Sequence, residues 1–438
     1  MLPLNNTIDK QAMHKKTKLS FFLLIICIHF SACKRPVTQK KISETIKKED
    51  VTKPQLLAKD TSLLNRILLN DTQTTYLYND TSYTLFNKDS SAWLSMFACP
   101  TPTHSFWELS NSCHINKNSE EPTKEHPLQG IKIALDPGHL AGTSEMAEIE
   151  GKQIKMKHPH IKDSVFFYEG ELTYLTVSLL KESLEKLGAE VFKTRKANES
   201  AFGYTYSYWL AHHFTHDLDS CFKNNLLTID DYDLLTQEKE KNTLLSKKII
   251  FHKFFKHLDF YQRATIINSY QPDLTVIMHY NVDVSNKGWD KPTNKNFNMA
   301  FVPGAFMEGE IDKPIDFNNF VRLNHTKEIN ESIIFSSHIL NGLKKHTKVD
   351  IITDYSEISY LNDYCLPTNV SGVFSRNLAL TRQIKGIICY VEALYQDNID
   401  ESLLLNKKRN NSYIPTRIQD VSNGILEGIV EYLSYKNH

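Results

Sequence analysis

The stretch GIKIALDPGHLAGTSE, residues 130–145, decides the fold class because an apolar strand runs into a tight turn there. Ile131, Ile133 and Leu135 form a short apolar run, and the Asp-Pro-Gly that follows breaks it. His139 comes next, so we expect it at the carboxyl edge of a sheet, where open α/β sheets collect their ligand sites. The alternative interpretation is a histidine that only caps the turn.

Strand and helix patterns alternate along the rest of this region. Leucines recur at helical spacing from Leu172 to Leu187, and Gly188 ends that helix. The segments AEVFKT and LTVIMHY are predicted strands with a helix, YQRATIINSYQ, between them, and FNMAFVPG and GIICYVEAL are later strands with a helix between them. This alternation predicts parallel pairing, and therefore an α/β fold: a three-layer αβα sandwich with a mainly parallel sheet.

The chain begins with a pattern that is typical of export. MHKKTKLSFFLLIICIHFSAC has a basic start, a short apolar run and small residues before Cys33. Its end resembles a bacterial lipobox, so we expect residues 1–33 to be a lipoprotein signal peptide and Cys33 to be lipidated. Lys34 is not the aspartate that retains lipoproteins at some inner membranes, which favours the outer membrane, facing the periplasm. A buried free cysteine in a short transmembrane segment is the alternative.

Composition divides the remaining chain into predicted regions. Residues 34–60 are a polar tether, and residues 61–118 are a small β-rich region of unknown role in which Cys99 and Cys113 either pair or stay free. Residues 130–438 form the catalytic domain, with a helical insertion at about 204–257. Lys plus Arg and Asp plus Glu both total 51, so no net charge attracts nucleic acid, and a neutral or carbohydrate-like partner fits better.

Groups suited to a metal site follow three predicted strands. The first strand ends at His139, the third ends at His279 in MHYN, and a late strand carries Glu392. The long helix adds two competing carboxylates at its start, Glu169 and Glu171. Two imidazoles and one carboxylate with an open fourth position form a catalytic zinc shell, and a further glutamate is then free to move the proton of a water molecule.

Several short motifs resemble, in order, those of the zinc-dependent N-acetylmuramoyl-L-alanine amidases. They are LDPGH at His139, EGELT at Glu169, EVFKTR at Arg195, RATIIN at Arg263, MHYN at His279 and YVEALYQDN at Glu392. The resemblance runs from about Gly130 to the C-terminus and implies that His139, Glu169 and His279 hold Zn²⁺ while Glu392 is catalytic. Counting back from EKLGAEV favours Glu169 over Glu171. GHLAG and an added stretch from Glu145 to Phe167 depart from the family pattern.

The resemblance implies hydrolysis of the amide bond between N-acetylmuramic acid and L-alanine in peptidoglycan, in cell-wall remodelling or turnover. Arg376, Asn377 and Asn281 are candidates for substrate binding. The alternatives are a zinc peptidase that cuts the stem peptide and a non-catalytic peptidoglycan-binding or regulatory lipoprotein. His158 and His160 lie in a polar loop and are expected to be exposed to solvent.

Overall fold

The computed structural model describes residues 74–79, 82–87, 93–98, 123–306, 310, 314–356, 358–406 and 414–436. The predicted signal peptide, the tether, and the cysteines at positions 33, 99 and 113 lie outside these residues. Within the described ranges, no helix is both long and apolar enough to cross a membrane.

Three short strands form an antiparallel sheet inside the region predicted to be β-rich. They are β1 (Thr74–Asn79), β2 (Ser82–Asn87) and β3 (Trp93–Ala98), and β2 lies between the other two.

The region after residue 130 is built on a seven-stranded sheet with the order β10-β11-β9-β12-β8-β4-β7. Its strands are β4 (Lys132–Pro137), β7 (Glu190–Lys193), β8 (Leu274–Asn281), β9 (Met299–Val302), β10 (Cys365–Pro367), β11 (Val373–Arg376) and β12 (Ile387–Tyr395). Four of the six neighbouring pairs are parallel, whereas β12 with β9 and β10 with β11 are antiparallel. A separate hairpin joins β5 (Gln153–Lys157) to β6 (Ser164–Tyr168).

Helices lie in the connections between these strands and after β12. They are α1 (Ser144–Glu150), α2 (Glu169–Lys186), α3 (Tyr206–His212), α4 (Phe214–Lys223), α5 (Ile229–Lys241), α6 (Leu244–Ile250), α7 (Lys256–Tyr270), α8 (Pro314–His325), α9 (Glu328–Thr347), α10 (Ser359–Tyr364), α11 (Ala379–Gln383), α12 (Ile399–Asn406) and α13 (Thr416–Lys436). A short π-helix, Phe251–Phe255, connects α6 to α7. Residues 207–243 form a compact unit of their own, which is helical for most of its length.

Alternating side chains of the central strands enter two different cores. Ile133 and Leu135 of β4 pack with residues of α2, α9 and α13, whereas Ala134 between them packs with Ala264 and Ile267 of α7. Because successive side chains of a strand point to opposite faces, this division places helices on both sides of the sheet. The predicted α/β fold class, with helices on both faces of a mainly parallel sheet, is confirmed.

The stretch that departs from the family pattern contains regular structure that the sequence did not predict. It holds α1 and the hairpin of β5 and β6. The expectation that His158 is exposed was wrong: the residue is 4% exposed, and its Nε2 lies 2.7 Å from the carbonyl oxygen of Ile399. That contact joins residues far apart in sequence, so no local sequence pattern predicts it.

Candidate metal centre

His139 is presented by a turn just beyond the carboxyl end of β4. Its φ is 53°, a left-handed conformation that is uncommon for residues other than glycine. Arg195, which is buried, donates to the carbonyl oxygens of Pro137 at 3.0 Å and Gly138 at 2.8 Å. The buried Arg263 donates to the same Pro137 oxygen at 3.0 Å. These guanidinium groups therefore hold the backbone from which the His139 side chain leaves the sheet.

Glu169 is the first residue of α2 and is 1% exposed. Its Oε1 lies 3.2 Å from His139 Nε2 and 3.4 Å from His279 Nδ1. The second oxygen, Oε2, is buried without a hydrogen-bond partner, although Lys152 Nζ lies 3.7 Å away. Burying an ionised oxygen without a hydrogen bond is costly, so Oε2 is an acceptor that a bound cation would satisfy. Glu171 does not belong to this group of close ligand atoms.

His279 lies near the carboxyl end of β8 and is fixed by two neighbours. The ring of Tyr390 stacks on it, with centroids 4.5 Å apart and planes 7° from parallel. The second neighbour is Gly138, just beyond the end of β4. A Cβ at this position would lie 2.3 Å from the imidazole of His279. Only a glycine leaves this space, so the turn that presents His139 also makes room for the second histidine.

The three side chains fit a zinc ion. One ligand atom from each of His139, Glu169 and His279 lies within 4.8 Å of the others. Tetrahedral zinc with bonds of about 2.0–2.1 Å to nitrogen and oxygen separates neighbouring ligand atoms by about 3.3 Å. The two closest ligand contacts, 3.2 Å and 3.4 Å, have this separation. The donor set of two imidazoles and one carboxylate is also one that catalytic zinc uses.

Without a metal, protonation is uneven across the site. Burial lowers the pKa of His279 to about 4, so its ring is neutral at pH 7. Burial also acts to lower the pKa of His139, but the charges of Glu169 and Glu150 outweigh it, and that pKa is raised. Burial acts to raise the pKa of Glu169, yet His139 and Lys152 hold it well below its usual range. A metal ion at this site would therefore compete with a proton for His139.

Glu392 lies beside the three ligands on the neighbouring strand. It is the register partner of His279 in the parallel pairing of β12 with β8. Burial raises the pKa of Glu392 to about 8, the charge of Glu169 adds to that rise, and Arg376 opposes it. The Nη1 atom of Arg376 lies 3.8 Å from Glu392 Oε1. The site thus contains a carboxyl group that changes protonation state near neutral pH.

The structure places two of the three predicted substrate-binding residues at the cavity and the third away from it. Arg376 and Asn281 line a cavity of about 350 Å³ together with the three candidate ligands and Glu392. The Arg376 guanidinium also lies over the rings of Phe301 and Tyr360, 4.5 Å and 4.7 Å from their centroids. Asn377 does not line this cavity, because its amide donates to Ala305 and Glu310, each at 2.7 Å.

Two charged residues at the site were missed by the sequence reasoning. Glu150 contacts His139, and Lys152 lines the cavity, where its ammonium group lies 4.4 Å from the ring centroid of Trp289. Both come from the stretch that has no counterpart in the family pattern. No periodicity or motif marked them, since their roles depend on the path of α1 and the hairpin.

Comparison with known proteins finds similar solved structures but no similar sequence. No family model matches this chain, and no curated protein sequence matches it. The solved structures that it resembles include N-acetylmuramoyl-L-alanine amidases. Ami1 of Mycobacterium smegmatis is 14% identical, with 70% of this chain and 99% of that one covered and a TM-score of 0.38. AmiC2 of Nostoc punctiforme is 12% identical, with the same coverage and a TM-score of 0.33.

A third neighbour is the CwlD amidase of Clostridioides difficile, solved in complex with the GerS lipoprotein. It is 15% identical, with 70% of this chain and all of that chain covered and a TM-score of 0.37. These proteins bear the activity name of the family whose motifs the sequence resembles.

Proposed function

We propose that this protein is a zinc-dependent amidase that hydrolyses the bond between N-acetylmuramic acid and L-alanine in peptidoglycan. The observation that carries the proposal is the convergence of His139, Glu169 and His279 on one point, with Glu392 in register beside them. The choice of substrate rests on the sequence motifs, because the residues that converge belong to the motifs that resemble those of the amidases. Amide hydrolysis is the chemistry that such a site performs.

Zinc, when bound, acts as a Lewis acid that polarises an amide carbonyl and makes a water molecule more acidic. The imidazoles of His139 and His279 and the carboxylate of Glu169 would hold the ion, and Glu169 and His279 are buried. Glu392 takes the proton of the attacking water and returns it to the amine nitrogen, which leaves poorly unless it is protonated. The pKa of Glu392, raised by burial to about 8 in the metal-free protein, supports this role for the carboxyl.

Arg376 and Asn281 are proposed to bind the substrate beside the reacting amide. Both line the cavity, and the aromatic rings under Arg376 fix its guanidinium while leaving part of it exposed. A guanidinium binds carboxylates through paired hydrogen bonds, so a carboxylate of the stem peptide is a suitable partner. Arg376→Lys is expected to raise KM more than it lowers kcat.

Metal analysis and mass spectrometry of digested peptidoglycan test the proposal together. The purified protein is expected to contain about one zinc per chain and to release intact stem peptides that begin with L-alanine. Peptides cut internally would instead identify a stem-peptide peptidase. Zinc-loaded protein that binds sacculi without releasing any product would identify a binding or regulatory protein and would refute the proposed activity.

We also propose that the protein is exported and held by lipidated Cys33 at the outer membrane, facing the periplasm. The support is the signal-like sequence before Cys33 and the lysine after it. Radiolabelled palmitate is expected to enter the wild type and not Cys33→Ser, with both forms expressed to the same level. Equal labelling of the two forms, or recovery of the wild type in the cytosol, would contradict this location.

A further inference from the structure

Glu150, the last residue of α1, makes three contacts around the turn that carries His139. Its carboxylate is buried, and Oε1 lies 2.9 Å from His139 Nδ1. The other oxygen, Oε2, accepts from the backbone N–H groups of Leu140 and Ala141, both at 2.8 Å. One side chain thus binds both the imidazole and the backbone directly after it.

These contacts select one orientation and one tautomer of the His139 ring. An ionised carboxylate only accepts hydrogen bonds, so the ring nitrogen that faces it, Nδ1, must carry a proton. Because Nδ1 donates to Glu150, Nε2, which lies 3.2 Å from Glu169 Oε1, is the nitrogen left to present a lone pair to a bound ion. A metal-binding histidine needs this arrangement, with one nitrogen bound to a carboxylate and the other free for the ion.

We propose that Glu150 is a positioning residue of the metal centre, which holds the unprotonated Nε2 of His139 toward Glu169 and His279. The inference rests on the proposed zinc site but concerns metal binding rather than the substrate. It also gives a function to part of the stretch between Glu145 and Phe167, because α1 supplies Glu150 at its last position.

The variant Glu150→Gln distinguishes a positioning role of Glu150 from a purely structural one. The amide oxygen of glutamine is able to accept both backbone N–H groups, which preserves the turn. Its NH₂ group then faces Nδ1 of His139 and donates to it, so Nδ1 has to accept and the proton moves to Nε2. The variant would therefore keep the fold and present the wrong tautomer to the metal. A residue that only caps the turn would tolerate this change.

The experiment is a titration of metal-free protein with zinc against a competing chelator. Glu150→Gln is expected to bind zinc about 10- to 100-fold more weakly than the wild type, the loss usual for partners of metal-bound histidines. Glu148→Gln is the matched control, because it makes the same change two residues earlier on the exposed side of α1 and should bind like the wild type. Chemical unfolding in EDTA checks that both variants are as stable as the wild type.

A measurement on the zinc-loaded wild type keeps the proposal testable if Glu150→Gln does not fold. Nitrogen-15 spectra of labelled histidine are expected to show the His139 proton on Nδ1. A proton on Nε2, or wild-type zinc affinity in Glu150→Gln, would overturn the positioning role. Absence of zinc binding by the wild type would refute both the metal centre and this role, whereas zinc binding without cleavage of peptidoglycan would refute only the proposed function.

Discussion

Replacement of Glu392 by glutamine is expected to change how the stability of the metal-free protein depends on pH. Burial, together with the nearby charge of Glu169, raises the folded-state pKa of Glu392 to about 8 from the ordinary 4.5. The folded protein therefore keeps a proton that the unfolded chain releases between these two values. Glutamine has nearly the same shape and no proton to lose, so Glu392→Gln removes this dependence.

The sign and size follow from the two pKa values. Because the folded-state pKa is raised, the stability that this group contributes is complete below about pH 4.5 and is lost as the pH rises through about 8. With about 1.36 kcal/mol for each pKa unit, the loss between pH 5 and pH 8 is about 3.5 kcal/mol. The free energy of unfolding of Glu392→Gln should therefore exceed that of the wild type increasingly toward alkaline pH.

Denaturant unfolding in EDTA at several pH values between 5 and 8.5 measures this difference. Groups that do not interact with Glu392 titrate alike in both proteins and cancel in the comparison. We expect the two unfolding free energies to lie close together at pH 5 and to separate steadily above it. A constant difference over the whole range would show that Glu392 is ionised in the folded metal-free protein and would refute the reasoning.

Further predictions concern the metal itself. Alanine at His139, Glu169 or His279 is expected to abolish stoichiometric zinc by metal analysis, whereas Glu392→Gln keeps zinc and loses about 100- to 10,000-fold in turnover. Gly138→Ala, whose new Cβ would lie 2.3 Å from the His279 ring, should also lose zinc while still folding by circular dichroism. Free zinc at about 1,000 times its Kd should stabilise the protein against denaturant by about 4 kcal/mol, and EDTA should remove that gain. Zinc binding should weaken in acid, because the raised pKa of His139 makes a proton compete with the ion in calorimetric titrations.

The sequence predicted the candidate ligands because each lies at or near the end of a regular element. Parallel strands bring their carboxyl ends to one edge, so His139 and His279 had to be close once both strands were recognised. Glu169 was distinguished from Glu171 only through the family resemblance, by counting back from EKLGAEV to the position of the family's glutamate. The repeating pattern of strands and helices therefore relates ligand residues that are far apart in sequence.

The positions of Glu150, which was missed, and of Asn377, which was placed wrongly, depend on local geometry that no repeating sequence pattern encodes. Arg376 and Asn377 are neighbours at the end of β11, and successive side chains there point to opposite sides, so only one of them faces the cavity. The sequence alone does not tell which one. Glu150 contacts His139 from the far end of a turn and a short helix, α1, and both of these would have had to be placed correctly in advance.

The hairpin of β5 and β6 offers a place for engineering. Its base is fixed to the site, since the N–H of Glu169 donates to the carbonyl of Lys152, the residue just before β5. Five residue pairs separate that base from the turn at residues 159–163, which places the turn about 17 Å away at about 3.4 Å per residue. Ile161 in this turn is 39% exposed. A fluorophore attached there through Ile161→Cys would lie near enough to sense occupation of the cavity and too far away to contact the ligands.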